Sequence, residues 1–337
     1  MATKKDLGVD LALFDDKFKL TVDYFDESRS GIFMQRQYLP GMIGLQGKSP
    51  FANVGKVNSK GFDGNFSFKQ RFNQVSLTVR GNMTYSKNEI IERDEANNVY
   101  PYQMQKGYRV NQNKGLIALG LFKDYDDIRN SPTQKYGPVM PGDIKYKDVN
   151  GDGVINDDDI VPLGYREVPG LQYGVGLSAN WRNWNLSVLF QGTGKCDFFI
   201  GGNGPHAFRS ERYGNILQAM VDGNRWIPKE ISGTTVTENP NADWPLLTYG
   251  NNDNNNRKST FWLYERKYLR LRNVEVSYDF PQTWTRKFFV SNLRLGFVGQ
   301  NLLTWAPFKM WDPEGTREDG SNYPINKTFS CYLQISF

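Results

Sequence analysis

One stretch carries residue types at a spacing that could hold a metal ion. Residues 148–159 read DVNGDGVINDDD, which follows the D-x-[DN]-x-[DN]-G pattern of a calcium loop. Asp148, Asn150 and Asp152 put side-chain oxygens at the first, third and fifth positions, and Gly153 permits the sharp turn at the sixth. Val154 would offer its carbonyl, Asn156 a direct or water-mediated contact, and Asp159 the closing carboxylate. The closing residue of the familiar loop is Glu. Asp is one methylene shorter, so it binds through one oxygen or draws the loop further shut. The flanks do not read as paired amphipathic helices. The expected cofactor is therefore one structural calcium clamping a long loop, with a metal-free Asx-rich turn as the alternative.

Other chemistry is poorly supplied. His206 is the only histidine, and Cys196 and Cys331 are the only cysteines. A zinc site of several His or Cys ligands is excluded, as is a His-based triad that does not use His206. The run GTGKCDFFIGGNG at 192–204 contains a GxGK piece but not the spacing of a phosphate loop, so it reads as a loop leaving a strand. Asp15-Asp16 and Asp126-Asp127 read as solvated surface pairs. No acid–base pair is set up, and the chain is expected not to be an enzyme. A net charge of +5 over 337 residues, without a dense Lys/Arg cluster, argues against a nucleic-acid partner.

The elements that must carry this loop read as strands. Leu7 to Leu13, Phe18 to Tyr24, Phe62 to Phe68, Val75 to Tyr85, Tyr173 to Trp181 and Trp184 to Phe190 alternate apolar with polar residues. YLRLRNVEVSYDF (268–280) and NLRLGFVGQNLLTW (292–305) continue the pattern, with a phase slip near Asn273 that predicts a bulge. The final TFSCYLQISF alternates to its last residue, Phe337. These make nine predicted strands. Short connections at Asp15-Asp16, 71–73, Arg182-Asn183 and 281–291 alternate with long segments at 29–56, 89–170, 193–265 and 306–325. A short helix is expected at 124–130, stopped by Pro132.

Tight turns on one side and long loops on the other, with long strands, are the signature of an outer-membrane β-barrel. Phe14, Phe18, Phe72, Trp181, Trp184, Phe280, Trp284 and Phe337 gather at the short-turn end, where an interfacial girdle belongs. On this reading Val75, Leu77 and Val79 meet lipid, while Ser76, Thr78 and Arg80 face a wet interior. A soluble β-sandwich would also alternate. It fits the strand lengths, one-sided loops and aromatic ring less well. Trp226, Trp244, Trp262, Trp305 and Trp311 could stack on sugars, but packing or interface anchoring is the simpler reading. No run of about 18 apolar residues predicts a membrane helix, and MATKKDLGVDLALF is not a secretory signal.

Several stretches in order resemble the SusC-like (RagA-like) TonB-dependent transporters. They are GDIKYKDVNGDGVINDDDIVPLGYREVPGLQYGVGLSANWRNWNLSVLFQGTG, NPNADWPLL (239–247), YLRLRNVEVSYDFP, FVGQNLLTW, DPEG (312–315) and the terminal aromatic strand. The resemblance implies an all-β, antiparallel transmembrane barrel portion with long extracellular loops, about nine strands of roughly 22. It implies import of glycan oligosaccharides or peptides, driven by the TonB complex. It also implies a SusD-like surface lipoprotein as partner, outer-membrane lipid around the strands, and a terminal strand read by the insertion machinery. No plug domain or TonB box is found before the first strand. Residues 1–337 are therefore expected to be the C-terminal part of a receptor barrel, contacting TonB only through an N-terminal part outside this sequence. The calcium-type loop would lie in the extracellular segment 89–170, and no substrate-binding residues are assigned. The alternative is a secreted, soluble, calcium-stabilised glycan-binding β-protein.

Overall fold

The structure is a computed structural model and describes every residue except 38, 40, 41, 43, 45–48, 97 and 210–214. Parts of the predicted segments 29–56, 89–170 and 193–265 therefore lie outside the described residues. Nine strands form one antiparallel sheet in sequence order. They are β1 (Ala2–Leu13), β2 (Phe18–Gln35), β3 (Phe51–Phe72), β4 (Val75–Glu92), β5 (Leu171–Trp181), β6 (Trp184–Gly194), β7 (Tyr268–Asp279), β8 (Asn292–Trp305) and β9 (Thr328–Ser336). Each strand pairs with its neighbours in sequence, and β1 and β9 are the sheet edges.

The register carries the predicted alternation across the whole sheet. Leu13, Phe18, Phe68, Val79, Leu177, Val188, Val274, Gly299 and Phe329 are successive partners on one rung. The neighbouring rung passes through Thr78, Ser178, Ser187 and Glu275 on the opposite face. The expected bulge is present between Leu271 and Asn273. It absorbs the phase slip, because Leu271 pairs with Phe190 and Val274 with Val188. Both thus stay on the apolar face. That face is exposed: Leu7, Val22, Phe62, Val175, Leu186 and Phe297 all have a third or more of their surface open.

Turn chemistry sits where the short connections were expected. Asp15 and Asp16 adopt positive φ between β1 and β2, and Asn73 does so between β3 and β4, conformations that Asp and Asn tolerate better than most residues. Phe72, Trp181, Trp184 and Trp284 surround this end and are exposed. On β3, Phe62 lies ten positions from Phe72, about 33 Å along the strand. At a tilt of about 40° this is close to the roughly 25 Å apolar band of an outer-membrane barrel.

Three strands run furthest beyond their alternation. β2 reaches Gln35, β3 starts at Phe51 and β4 ends at Glu92. The connection predicted at 29–56 is therefore 36–50, and the one predicted to begin at 89 begins at 93. The added lengths, SRSGIFMQ and FANVGKVNSK, have no consistently apolar face. A strand wet on both faces keeps its ladder without the period-two signal. Register shifts beside Gly31 blur the pattern further.

Among the described residues the main buried hydrophobic cluster is not in the sheet. It is assembled from the long connections and includes Leu116, Leu121, Ile144, Tyr146, Ile155, Phe198, Phe199, Ile200, Met220, Trp226, Trp244, Trp262 and Phe308. The connections between β4 and β5, β6 and β7, and β8 and β9 thus pack into one cap at the long-loop end of the sheet.

Candidate functional site

The calcium-type loop lies in the cap and is fixed mainly by its own amides. Gly151 and Gly153 donate to the two oxygens of Asp148 at 2.6 and 2.8 Å. Asp152 donates to Asn150 Oδ1 at 3.0 Å, and Val154 to Asp152 Oδ1 at 2.8 Å. Gly153 has φ of +80°, as the sixth position requires. Asn156 caps the short 3₁₀ turn Asp157–Asp159, accepting from the Asp158 amide at 2.6 Å. Asp159 is fully buried and accepts from Val149 at 2.7 Å and Asn156 at 2.9 Å. Val149 and Asn156 lie on either side of the loop's turn, so the Asp159 carboxylate closes it.

Neighbouring segments brace the loop. Val154–Ile155 pairs in parallel with Thr133–Gln134. Tyr102 donates to the Asp158 carbonyl at 2.8 Å and Gln103 to that of Asp157 at 2.9 Å. Tyr136 donates to Asp157 Oδ1 at 3.0 Å. Burial pushes the Tyr136 hydroxyl well above its ordinary range, and the Asp157 carboxylate raises it further. Among the described residues no Lys or Arg forms an ion pair with Asp148, Asp152, Asp157, Asp158 or Asp159. Also among them, no three His, Cys, Asp or Glu side chains converge into a metal-binding group. The six predicted ligands thus share one closed loop, with their carboxylates turned onto its amides.

A second polar cluster was not read from the sequence. Asn254 and Asn255, in the run GNNDNNNRK, are buried rather than solvated. Asn254 Nδ2 donates to the Ile144 carbonyl at 3.0 Å, and Asn255 Oδ1 accepts from the Ile144 amide at 2.8 Å. Gln134 joins them, donating to Asn254 Oδ1 at 2.6 Å and accepting from the Tyr146 amide at 2.7 Å. Asn255 Nδ2 donates to Asp143 Oδ1 at 2.7 Å. Burial raises the Asp143 carboxyl, while bonds from Met140, Asn255 and Asn252 oppose that rise. These side chains satisfy backbone groups that no strand ladder reaches. Trp262 closes the cluster by donating to the Asn255 carbonyl at 2.6 Å.

The segment 312–315 is latched to the strand beneath it. Arg270, fully buried, donates to both oxygens of Asp312 at 2.8 Å and to Thr304 Oγ1 at 3.0 Å. Arg266 Nε donates to the Pro313 carbonyl at 2.7 Å, and Tyr268 donates to Glu314. The alternation already turned Arg270 away from the apolar face. Its carboxylate partners Asp312 and Glu314, 42 and 44 residues downstream, left no local signal.

His206 sits edge-on to Trp262 at 5.1 Å, and neither ring nitrogen has a hydrogen-bond partner among the described residues. Burial lowers its pKa to about 4, with Arg209 adding to the effect. Trp226, Trp244 and Trp262 pack in the cap, whereas Trp305 stands exposed on the apolar face of the sheet. DFFI of the 192–204 run is buried, and Asp197–Phe199 pairs with Leu263–Glu265.

No family model matches the chain. TonB-dependent receptor P26 of Formosa agariphila is 25% identical over 361 residues, spanning 98% of this chain and 34% of the relative. TonB-dependent receptor P3 of the same organism is 23% identical, with the same coverage. The chain's homologues are TonB-dependent receptors. Its fold is that of part of the RagAB peptide transporter, with a TM-score of 0.75 at 18% identity over 100% of this chain and 35% of that one. RagAB in its closed-closed state gives a TM-score of 0.73. The chain thus spans about a third of the length of the relatives it matches.

Proposed function

We propose that this chain is the C-terminal barrel portion of a TonB-dependent importer in the outer membrane. The observation that carries the reading is a nine-stranded antiparallel meander whose apolar face is exposed while the hydrophobic core lies in the loops. Unpaired backbone groups at the edges of an open sheet would each cost several kcal/mol in hydrocarbon. The edges at β1 and β9 would therefore be closed by further strands of the same protein. The cap would stand outside the cell, and the face bearing Thr78, Arg80 and Glu275 would line the lumen.

The substrate would be an oligomer, either a glycan oligosaccharide or a peptide. The likeness to RagAB, a peptide transporter, supports the peptide arm. Capture would involve a SusD-like surface lipoprotein seated on the cap, and energy would come from TonB through the N-terminal part of the protein. The test is uptake of labelled peptides and labelled oligosaccharides by cells with and without the intact protein, and with and without TonB. Uptake of one class that needs both is expected. Uptake indifferent to both would overturn the reading.

The calcium-type loop would serve as a clamp on the cap. Its support is a filled set of oxygen positions and an acidic loop with no ion-pairing cation among the described residues. Calcium would bind at about 10⁻⁴–10⁻³ M, the range of extracellular modules. Asp148→Ala with Asp152→Ala should abolish the calorimetric signal and speed amide exchange in 148–159, leaving the sheet protected. Absence of any calcium heat in the unaltered protein would refute the clamp.

A further inference from the structure

The apolar face of the sheet ends at the cap in a groove of about 420 Å³, within the range of small-ligand sites. Tyr173, Leu269 and Trp305 form its floor, and Lys267 and Lys309 stand at its rim. The floor continues downward without a break. Val175 follows Tyr173, Leu271 follows Leu269 and Leu303 follows Trp305, all on the same face by register. Phe190 meets Trp305 there, with ring centroids 6.4 Å apart. The groove is therefore amphiphilic along its length, apolar below and cationic above.

The rim charge is available. Lys309 has no ion pair among the described residues. Among the described residues the one ion pair of Lys267 is with Glu265, at 2.8 Å, and both are about half exposed. Such a pair is weak in water and easily exchanged for a stronger anion. The other end of the sheet repeats the order without the groove. Lys5, Lys60 and Lys87, with Asp26, lie two rungs above Tyr24, Phe62 and Tyr85, on the same face.

We propose that the groove between Lys267 and Lys309 binds the headgroup of a phosphate-bearing lipid of the outer leaflet, its acyl chains lying along Leu269, Leu271 and Leu303. This rests on the reading that the apolar face meets lipid. A phosphate oxyanion suits two ammonium groups, and basic residues at a membrane surface each contribute measurably to anionic-lipid affinity. Tyr173 and Trp305 are amphipathic rings of the kind that settle at headgroup level.

The test uses the intact protein that contains this chain, in vesicles of zwitterionic lipid doped with bisphosphorylated lipid A or with its dephosphorylated form. Bound lipid is read by native mass spectrometry after mild extraction. The phosphorylated form should be retained about tenfold or more over the dephosphorylated one. Lys267→Gln with Lys309→Gln should remove that preference, and Lys60→Gln with Lys87→Gln should leave most of it. Equal retention of the two lipids would overturn the proposal, as would equal losses in the two double variants. Displacement by millimolar inorganic phosphate alone would mark a bare anion site and overturn it too. Failure of the unaltered protein to enter vesicles would sink the membrane reading, and this inference with it.

Discussion

The sheet and the cap use the same apolar residue types in opposite ways. In the sheet, Leu7 is 70% exposed and Phe297 58%, whereas in the cap Trp262 is 2% exposed and Ile144 is fully buried. A water-soluble sandwich would place those sheet residues against a second layer. Among the described residues no second layer covers that face, and the buried hydrophobic cluster lies in the connections instead. An apolar face of this extent left uncovered is explained by an apolar solvent, because exposed patches on soluble monomers are far smaller. On the proposed reading the cap is the ordinary globular part of the molecule, and the sheet is the part that meets lipid.

If that contrast holds, truncating a large side chain should be most costly in the cap. Trp262→Ala removes contacts with Trp244, Phe261 and His206 and the bond to Asn255. It should cost the cap about 3–5 kcal/mol. Hydrogen exchange should show faster amides through 196–265 with β5 and β6 unchanged. Loss of protection in the strands as well would mean that sheet and cap are one cooperative unit.

Charge insertion should discriminate between the faces of one strand. Leu77→Arg, on the apolar face, should cost about 2–4 kcal/mol near the bilayer midplane, and Thr78→Arg on the opposite face much less. Reversible folding into bilayers measures both. Equal penalties would reject the assigned register.

A smaller effect of pH should be confined to the cap. The unfolded chain binds a proton at His206 near the ordinary value, and the folded one only near pH 4. Between these values the unfolded state holds more protons, so cap stability rises with pH. The contribution, up to about 3 kcal/mol, should be complete above about pH 6.5 and fade as the pH falls toward 4. Tryptophan emission from the cap during denaturation at pH 7 and pH 4.5 would show it, and His206→Phe should flatten the difference. A pH response that survives this change would assign it to another group.

The nine strands and the bulge near Asn273 were legible because, on the proposed reading, one face meets an apolar surround and the other a wet one. That is what writes period two into the sequence. Where β2, β3 and β4 continue past Tyr24, Phe62 and Tyr85, neither face is consistently apolar and the pattern fades, so those ends read as loop. The closed turn at 148–159 was legible because its constraint is local and its hydrogen bonds lie within twelve residues. The cap's core was not. Asn254 and Asn255 look like solvated loop residues until Gln134, Ile144 and Tyr146 are brought to them from more than 100 positions away. The Arg270–Asp312 latch is hidden for the same reason.

The central claim is that the exposed apolar face is the lipid face. It is tested most directly by attaching a fluorophore to single cysteines at positions 75 to 80 of β4, in a background lacking Cys196 and Cys331. Quenching by brominated acyl chains is then compared with quenching by an aqueous agent. The account predicts strict alternation, with acyl-chain quenching at 75, 77 and 79 and aqueous quenching at 76, 78 and 80. Aqueous quenching at all six positions would contradict it.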